Sequence, residues 1–163
     1  MVQNHDMAGS LEIERKFLVR SLPDAFDALP SELIRQGYAA DGLRFRQKGA
    51  RYFETRKVGM GLVAEEHERE IDRDEFERMW PTTEGRRLEK TRTEVALDDG
   101  LVAEVDIFEG DLTGLRYVEV EFDDVETARA FLPPDWFGRE VTEDPRYKNS
   151  SLARFGPPPD WNL

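Results

Sequence analysis

The chain has 163 residues, a net charge of −12 and no cysteine, and 39% of its residues are hydrophobic while 36% are charged. This length and composition favour a single globular domain with a packed core and exclude a disordered chain. The lack of cysteine excludes disulfide bonds, thiolate metal sites and thiol nucleophiles, and the negative charge argues against nucleic acid and anionic membranes as partners.

The two ends of the chain lack the periodicity of regular secondary structure. Residues 1–9 predict a flexible N-terminal segment, and residues 157–163 predict a proline-rich C-terminal tail. The domain is therefore expected to span residues 10–156. The chain contains neither a run of about 18 apolar residues nor a signal-peptide pattern, so the expected location is the cytoplasm.

The first half of the domain is predicted to be rich in strands. Alternating polar and apolar residues predict a strand over residues 11–19, and a short helix follows in the segment SLPDAFDAL. The next strands are predicted over residues 33–40, 42–49, 51–58 and 63–72. A short helix over residues 72–81 is expected to end at Pro81.

The second half continues the pattern of strands with a few helices. Strands are predicted over residues 86–97, 101–110 and 116–123, and the sequence Asp98-Asp99-Gly100 between the first two is typical of a β-hairpin. A helix over residues 123–132 is expected to end at Pro133 and Pro134. The segment 142–155 predicts a closing helix, with Thr142 or Asp144 as its cap and Pro145 in its first turn.

Polar side chains recur at every second position along these strands, which places them on one face of each strand. The recurring groups are Glu12-Glu14-Lys16, Arg44-Arg46, Thr55-Lys57, Glu68-Glu70, Lys90-Arg92, Glu104-Asp106 and Glu119-Glu121. The opposite face of such a strand is apolar, as with Val118, Val120 and Phe122 beside Glu119 and Glu121. The chain is therefore expected to be an α+β, mainly β, domain whose strands each have one charged face.

Two arrangements of the sheet explain these charged faces. In one, the apolar faces form the core and the charged faces meet solvent. In the other, the sheet closes into a barrel around a charged lumen, and helices or a second subunit cover its apolar outside. Acids and bases are segregated onto different strands, whereas a solvated face usually mixes both signs. This segregation favours the barrel.

The charged face is suited to a metal-bound polyphosphate. Arginine and lysine bind phosphate through charge-assisted hydrogen bonds, and carboxylates bind hard cations such as Mg²⁺ or Mn²⁺. A surface with both groups fits phosphoryl transfer to water, in which bases neutralise phosphate oxygens and metal ions polarise the scissile group. No covalent nucleophile is needed for this reaction.

The first strand also carries a known motif, since Glu12, Glu14 and Lys16 form the sequence ExExK. This motif, the other charged groups in the same order and the closing segment VTEDPRYKNSSLA resemble the CYTH superfamily, the triphosphate tunnel metalloenzymes. The resemblance spans about residues 11–154 and is similar in layout to the short single-domain bacterial type. It implies a closed tunnel of eight antiparallel β-strands with helices packed outside, a divalent metal, and hydrolysis of inorganic tripolyphosphate or another triphosphate.

The resemblance also implies roles for individual residues. The residues expected to bind the triphosphate are Lys16, Arg44, Arg46, Lys57, Lys90, Arg92 and Lys148. The residues expected to hold Mg²⁺ or Mn²⁺ are Glu12, Glu14, Glu104, Asp106, Glu119 and Glu121, with Glu104 and Asp106 acting through water. The residues expected to take part in catalysis are Glu14, Glu68, Glu70 and Lys90. A solvent role is expected for His5 and His67, and a packing role for Trp80.

Other functions fit the same face. A class IV adenylate cyclase is disfavoured, because that branch carries a His-Phe pair shortly before ExExK, where this chain has residues 6–10, DMAGS. A thiamine or nucleoside triphosphatase and a non-catalytic polyphosphate-binding module remain alternatives. The expected partner is a small-molecule triphosphate, and a homodimer is also expected because the apolar outside of the barrel needs cover.

Overall fold

Within residues 9–162, the part of the chain that the computed structural model describes, nine antiparallel strands form one sheet that closes into a barrel. They are β1 (Ser10–Val19), β2 (Ser31–Tyr38), β3 (Arg44–Lys48), β4 (Arg51–Val58), β5 (Val63–Ile71), β6 (Arg87–Ala96), β7 (Val102–Phe108), β8 (Arg116–Phe122) and β9 (Phe137–Glu140). Their order is β5-β4-β3-β2-β6-β7-β8-β1-β9, and β5 also pairs with β1. Strands β1–β8 therefore close the barrel, which confirms the predicted fold class.

Strand β1 joins the two edges of the sheet because its 10 residues are long enough to pair with three strands. Its first residues pair with β5, with Ile13 opposite Val63. Its later residues pair with β8 on one side and with β9 on the other, where Val19 lies opposite Phe137. The sequence analysis missed β9, since its four residues are too few to show an alternating pattern.

The helices are short; the first two lie outside the barrel, and the third packs at one end of its lumen. They are α1 (Arg73–Met79), α2 (Val125–Ala130) and α3 (Asn149–Phe155). The carboxylate of Asp72 caps α1 by accepting a hydrogen bond from Glu75 N at 2.8 Å, and Asp124 caps α2 by accepting one from Thr127 N at 2.7 Å. No helix within residues 9–162 combines the length and the apolar character that a membrane span requires.

Two predicted helices differ from the structure. The helix predicted in SLPDAFDAL is only a 3₁₀ turn over Phe26–Ala28, which begins after Ala25 at a φ of 62°. The predicted closing helix is divided into a 3₁₀ turn over Pro145–Tyr147 and α3, because Lys148 between them is extended. This break brings Lys148 and the start of α3 to the barrel.

The hairpin predicted between β6 and β7 is confirmed. Asp99 and Gly100 have φ values of 62° and 75°, the left-handed conformation that such tight turns require. The turn is closed by a hydrogen bond of 2.8 Å from Leu97 N to Leu101 O.

The apolar faces of the strands point outward, where α2 and the segment after it cover β1, β7 and β8. The buried residues of this α2 cluster are Phe17, Phe26, Ala103, Val105, Val118, Val120, Phe122, Ala128 and Phe137. Arg15 of β1 holds α2 and the segment after it against the barrel by donating hydrogen bonds to the carbonyls of Ala128 and Phe131 at 2.8 and 2.9 Å. One of the apolar cores therefore lies outside the barrel.

Helix α1 covers a second part of the outer surface, where Phe76 is fully buried. Its ring lies 4.9 Å from that of Tyr52 and 5.1 Å from that of Trp80, measured between centroids. Trp80 thus packs in the core, as predicted.

Replacement of Phe76 with alanine is expected to lower the free energy of unfolding by about 3–5 kcal/mol, because it leaves a cavity under α1. Urea denaturation checks this value. Leu132→Ala is the control, since 86% of the Leu132 surface is exposed and its truncation is expected to change little. Similar unfolding midpoints for both variants would contradict the packing described.

The inner face of the barrel changes from charged to apolar toward one end. At this end, the inward-facing residues of β1, β6, β7 and β8 are Leu18, Leu88, Phe108 and Tyr117, and all four are buried. These side chains pack with Leu152 of α3. We call them the floor cluster, because they fill the lumen beneath the charged residues.

The predicted flexible N-terminal segment, including His5, lies outside the described residues except for Gly9. Part of the predicted C-terminal tail lies against the barrel. Trp161 packs against the floor cluster, and the Asp160 carboxylate lies 3.1 Å from Arg146 and 3.9 Å from Arg139. The domain boundaries stay predictions.

Candidate active site

A cavity of about 530 Å³ occupies the lumen of the barrel and is lined by ionisable side chains. Its acids are Glu12, Glu14, Glu66, Glu68, Glu104, Glu119, Glu121 and Asp144. Its bases are Lys16, Arg44, Arg46, Lys57, Lys90, Arg92, Lys148 and Arg154. The structure thus brings together every site residue predicted from the sequence except Glu70 and Asp106.

The pairing of the strands explains this convergence. Lys16 of β1 lies opposite Glu119 of β8, and Glu119 lies opposite Glu104 of β7. On the other side of the barrel, Arg44 lies opposite Thr55, and Thr55 lies opposite Glu68. Directly opposed residues in antiparallel strands point to the same face of the sheet. A residue that faces the lumen is therefore paired with residues of the adjacent strands that also face the lumen.

Acidic side chains face one another where β1 meets β8, since Glu14 lies opposite Glu121. Burial and the neighbouring Glu121 raise the pKa of Glu12 to about 8. The negative charge of Glu119 and burial raise the pKa of Glu14 to about 7. The pKa of Glu119 is instead lowered, because Lys16 and Arg92 outweigh the effect of burial. Glu12, Glu14, Glu119 and Glu121 form what we call the acidic wall, in which burial and neighbouring carboxylates disfavour the ionised forms of Glu12 and Glu14.

The acidic wall has the donor chemistry of a divalent-metal site. Carboxylate oxygens are the ligands that Mg²⁺ and Mn²⁺ prefer, and a cation would relieve the repulsion between the facing pairs. Within residues 9–162, however, no group of three or more acidic or histidine side chains is already arranged around a common point. His67 lies beside Glu65, at 3.0 Å, and is not part of the lining.

The basic wall is formed by β3 and β4. Arg44 donates hydrogen bonds to Thr55 Oγ1 at 3.2 Å and to Glu68 Oε2 at 3.4 Å. Arg46 donates from Nε to Gln36 Oε1 at 2.8 Å, and Lys57 donates to Glu14 at 3.1 Å. These bonds hold the guanidinium and ammonium groups in the lumen.

Within the described part of the chain, one arginine of the basic wall has a buried donor without a partner, and a second arginine lacks a carboxylate partner. Arg44 Nε is buried and has no hydrogen-bond partner there. Arg46 has no carboxylate within 4 Å among residues 9–162, and burial together with Arg44 and Arg92 lowers its pKa to about 10, so it is still charged at neutral pH. Buried donors without partners are costly, so this wall is prepared for an anion.

The deepest charged residues form a compact ionic cluster. The Lys90 ammonium lies 2.7 Å from Asp106, and Arg92 donates to both oxygens of Asp106 at 2.8 and 2.9 Å. Burial would raise the pKa of Asp106, but these two cations hold it well below the ordinary value. Burial and the positive charge of Arg92 lower the pKa of Lys90 to about 7, against the opposite effect of Asp106.

Asp106 was predicted to assist metal binding, but the structure does not place it among the residues that line the cavity. Its side chain is fully buried behind the lining, and its two oxygens are occupied by Lys90 and Arg92. Asp106 therefore anchors two bases of the site. The alternation shared with Glu104 identified the correct face, but the depth of the residue depends on the barrel around it.

Glu70 was predicted to lie in the lumen, and this prediction is wrong. Both of its oxygens accept hydrogen bonds from Arg51 at the exposed rim, at 3.1 and 2.8 Å. Glu66, four residues earlier on the same face of β5, lines the cavity opposite Lys57 instead. Glu66, Glu68 and Glu70 all lie on the same face of β5, so the alternation of the sequence alone could not tell which two of them line the cavity.

Several residues of the lining were missed in the sequence analysis. Tyr38, Thr142 and Asn149 line the cavity together with Glu66 and Arg154. Glu66 could have been predicted, because it lies two residues before Glu68 and so on the same face of β5. The uncharged residues Tyr38, Thr142 and Asn149 are not marked by any charge pattern in the sequence. Asn149 sits beside Lys148, which was predicted.

Known proteins are similar in sequence to this chain over most of its length. No family model matches it. An inorganic triphosphatase of Nitrosomonas europaea is 52% identical over 148 residues, which are 87% of this chain and 96% of that protein. An inorganic triphosphatase of Acetivibrio thermocellus is 36% identical over 152 residues, 88% of this chain and 93% of that protein.

A similar structure has also been solved. A crystal structure of an inorganic triphosphatase matches with a TM-score of 0.69 and 48% identity, and the match covers 90% of this chain and 97% of the other. The similarity therefore includes the strands that carry the lining.

Proposed function

The chain belongs to the family of the inorganic triphosphatases of Nitrosomonas europaea and Acetivibrio thermocellus, and we propose that it hydrolyses inorganic tripolyphosphate in its barrel lumen. We further infer that this family is part of the CYTH superfamily, and that the chain is of its short single-domain bacterial type. The ExExK sequence of β1 and the closed barrel support this inference.

The unsatisfied basic wall is the observation that carries the proposal. Arg44 Nε is a buried donor without a partner, and Arg46 lacks a carboxylate within 4 Å in the described part of the chain. Phosphate oxygens supply the acceptors and the negative charge that these groups lack. Lys16, Lys57 and Lys148 also line the lumen and add positive charge to it.

In the proposed reaction, the oxygen of a water molecule bonds to a terminal phosphorus while the bridging P–O bond breaks. Diphosphate leaves with the electron pair of that bond, and phosphate is the second product. The bases of the lumen neutralise the charge on the phosphate oxygens, which is the main contribution a protein makes to phosphoryl transfer.

Glu68 is the carboxylate that we propose as the general base for the attacking water. Thr55 Oγ1 donates to Glu68 Oε2 at 2.8 Å, and Arg44 donates to the same oxygen at 3.4 Å. Oε1 has no hydrogen-bond partner within residues 9–162 and can orient the water and accept its proton. Lys90 and Arg92 face the same cavity and would stabilise the charge that develops on the leaving group.

We propose Mg²⁺ or Mn²⁺ as the cofactor, held by the acidic wall. The residues assigned to it are Glu12, Glu14, Glu119 and Glu121, with Glu104 assisting. Burial and the neighbouring carboxylates raise the pKa values of Glu12 and Glu14, and this supports the assignment, because a cation stabilises ionised carboxylates. When bound, such an ion polarises a phosphoryl oxygen and lowers the pKa of a bound water.

A substrate panel tests the proposal. Purified protein is incubated with tripolyphosphate, ATP, thiamine triphosphate or diphosphate, each with Mg²⁺, Mn²⁺, Ca²⁺ or a chelator, and the products are separated by chromatography. Phosphate and diphosphate are expected from tripolyphosphate with Mg²⁺ or Mn²⁺. Cyclic AMP from ATP would favour a cyclase instead, and tight binding without turnover would favour a polyphosphate-binding module. The homodimer, the cytoplasmic location and the absence of nucleic-acid and membrane partners remain predictions from the sequence.

Glu68→Gln and Glu70→Gln form a matched pair of variants that separates the lumen from the rim. Glu68→Gln is expected to lower kcat by roughly 10²-fold, the usual contribution of a general base. Glu70→Gln is expected to leave kcat unchanged, since Glu70 contacts only Arg51 at the surface. Steady-state kinetics with tripolyphosphate measure both values. Equal losses in the two variants would contradict the placement of Glu70 outside the site.

A further inference from the structure

We infer that Asn149 is a positioning residue, which holds the Lys90 ammonium at the place where it meets the substrate. The inference rests on the proposed function, because it concerns the same lumen. Asn149 is the first residue of α3, and it lines the cavity.

The amide of Asn149 makes three side-chain hydrogen bonds. Its Oδ1 accepts from Lys90 Nζ at 2.9 Å and from Gln36 Nε2 at 3.2 Å. Its Nδ2 donates to the hydroxyl of Tyr117, whose ring is part of the floor cluster. A single side chain therefore connects α3 to three different strands of the barrel.

The connection continues from Lys90 to a second phosphate-binding candidate. Gln36 donates to Asn149 with its amide nitrogen, and its Oε1 accepts from Arg46 Nε at 2.8 Å. Asn149 and Gln36 thus link Lys90 on β6 to Arg46 on β3. Each of these two bases is held by a neutral amide.

The neutrality of these amides matters for anion binding. Among residues 9–162, Lys90 has one carboxylate within 4 Å, that of Asp106 at 2.7 Å. Because Arg92 shares the same carboxylate, the charge of Lys90 is only partly compensated. An amide oxygen fixes the direction of the ammonium without neutralising its charge. A second carboxylate at the same place would compete with the phosphate for Lys90.

The lysine also has little freedom apart from these bonds. Its ammonium lies 5.6 Å from the ring of Phe108 and 5.7 Å from the ring of Tyr117, so the floor cluster blocks movement away from the lumen. Loss of the Asn149 acceptor removes the contact that orients Lys90 from the α3 side. A displacement of about 1 Å at a reacting group can lower a rate by roughly 10²-fold.

A double-mutant cycle tests this role. Kinetics with tripolyphosphate and Mg²⁺ are measured for the wild type, Asn149→Ala, Lys90→Met and the double variant. Asn149→Ala is expected to lower kcat/KM by roughly 10–100-fold in the wild type. In the Lys90→Met background its effect is expected to shrink to less than about threefold, because the group it positions is gone. Equal losses in both backgrounds would overturn the inference, since a purely structural effect is additive.

A second variant guards against loss of folding. Asn149→Asp keeps the shape of the side chain and adds a negative charge beside Lys90. It is expected to weaken binding of diimidotriphosphate, the nitrogen-bridged analogue of tripolyphosphate, by roughly tenfold or more without lowering the melting temperature. Asn162→Asp makes the same change at an exposed position and is the control. Unchanged analogue binding by Asn149→Asp would count against the positioning role.

The analogue also separates this inference from the proposed function. If the wild type binds diimidotriphosphate but does not hydrolyse tripolyphosphate, the proposed function fails, and the same cycle measured on Kd decides the role of Asn149. If the wild type hydrolyses tripolyphosphate and the cycle is additive, only the inference fails. A wild type that does not bind the analogue would overturn both.

Discussion

Replacement of Glu14 with glutamine is expected to lower kcat for tripolyphosphate by roughly 10²–10³-fold, the effect of losing one electrostatic contact to the transition state. Glu14 lies at the centre of the acidic wall, opposite Glu121 and near Glu119, and its carboxylate accepts a hydrogen bond from Lys57 at 3.1 Å. The neutral amide removes a proposed metal ligand and the ionic partner of Lys57 together. Steady-state kinetics over a range of Mg²⁺ concentrations measure the loss.

Unfolding does not account for this expected loss. The pKa of Glu14 is raised to about 7 in the folded protein, above the ordinary value for glutamate, so folding disfavours its ionised form. At neutral and higher pH the ionised carboxylate therefore opposes folding, and glutamine removes that cost. Thermal melting of Glu14→Gln is expected to match or exceed that of the wild type.

A control and a binding measurement complete the test. Glu89→Gln makes the same substitution at an exposed position of β6 and is expected to keep full activity. Calorimetric titration with Mg²⁺ or Mn²⁺ in the absence of substrate is expected to show weaker binding to Glu14→Gln only. Full activity and unchanged metal binding in that variant would remove Glu14 from the site.

Replacement of Asp106 with asparagine is expected to lower the free energy of unfolding by about 3 kcal/mol at pH 7. Asp106 is the buried partner of both Lys90 and Arg92, and removal of its charge takes away the carboxylate that lies within 4 Å of Lys90 and the closest of the three that surround Arg92. Breaking a buried ion pair from one side typically costs about 3–5 kcal/mol. Urea denaturation measures the difference, and Asp111→Asn at an exposed turn is the control.

The effect of Asp106→Asn is expected to depend on pH. The pKa of Asp106 is lowered in the folded protein, so its ionised form stabilises the fold fully above the ordinary aspartate pKa of about 4. This contribution is lost as the pH falls below that value. The difference in stability between wild type and variant should therefore narrow in acid. A variant as stable as the wild type but with weakened Mg²⁺ binding would restore Asp106 to the metal ligands.

The sequence predicted much of the fold because strand alternation is a local property. The charged positions of β1, with Glu12, Glu14 and Lys16 on one face, could be recognised without any knowledge of their neighbours. The same alternation continues into Leu18, which is in the floor cluster and not at a charged surface. Alternation therefore predicted the face of each residue but not its depth.

The parts that sequence reasoning missed depend on contacts between distant segments. Strand β9 has four residues and is recognisable only through its pairing with β1. Asn149 belongs to the site because α3 docks beside Lys90, 59 residues away in sequence. No local pattern of an asparagine indicates such a contact.

The sequence by itself determined the alternating strands, the segregation of acids and bases onto different strands, and the resemblance to triphosphate tunnel enzymes. Only the tertiary structure decided which charges share the lumen: it placed Glu66 inside, Glu70 at the rim beside Arg51, and Asp106 behind the lining. The physical reason is that alternation has a period of two residues, whereas the position of a residue along the barrel depends on the register between neighbouring strands. Register is set by packing and pairing across the whole sheet. The same packing and pairing decide which residue becomes the partner of each buried charge.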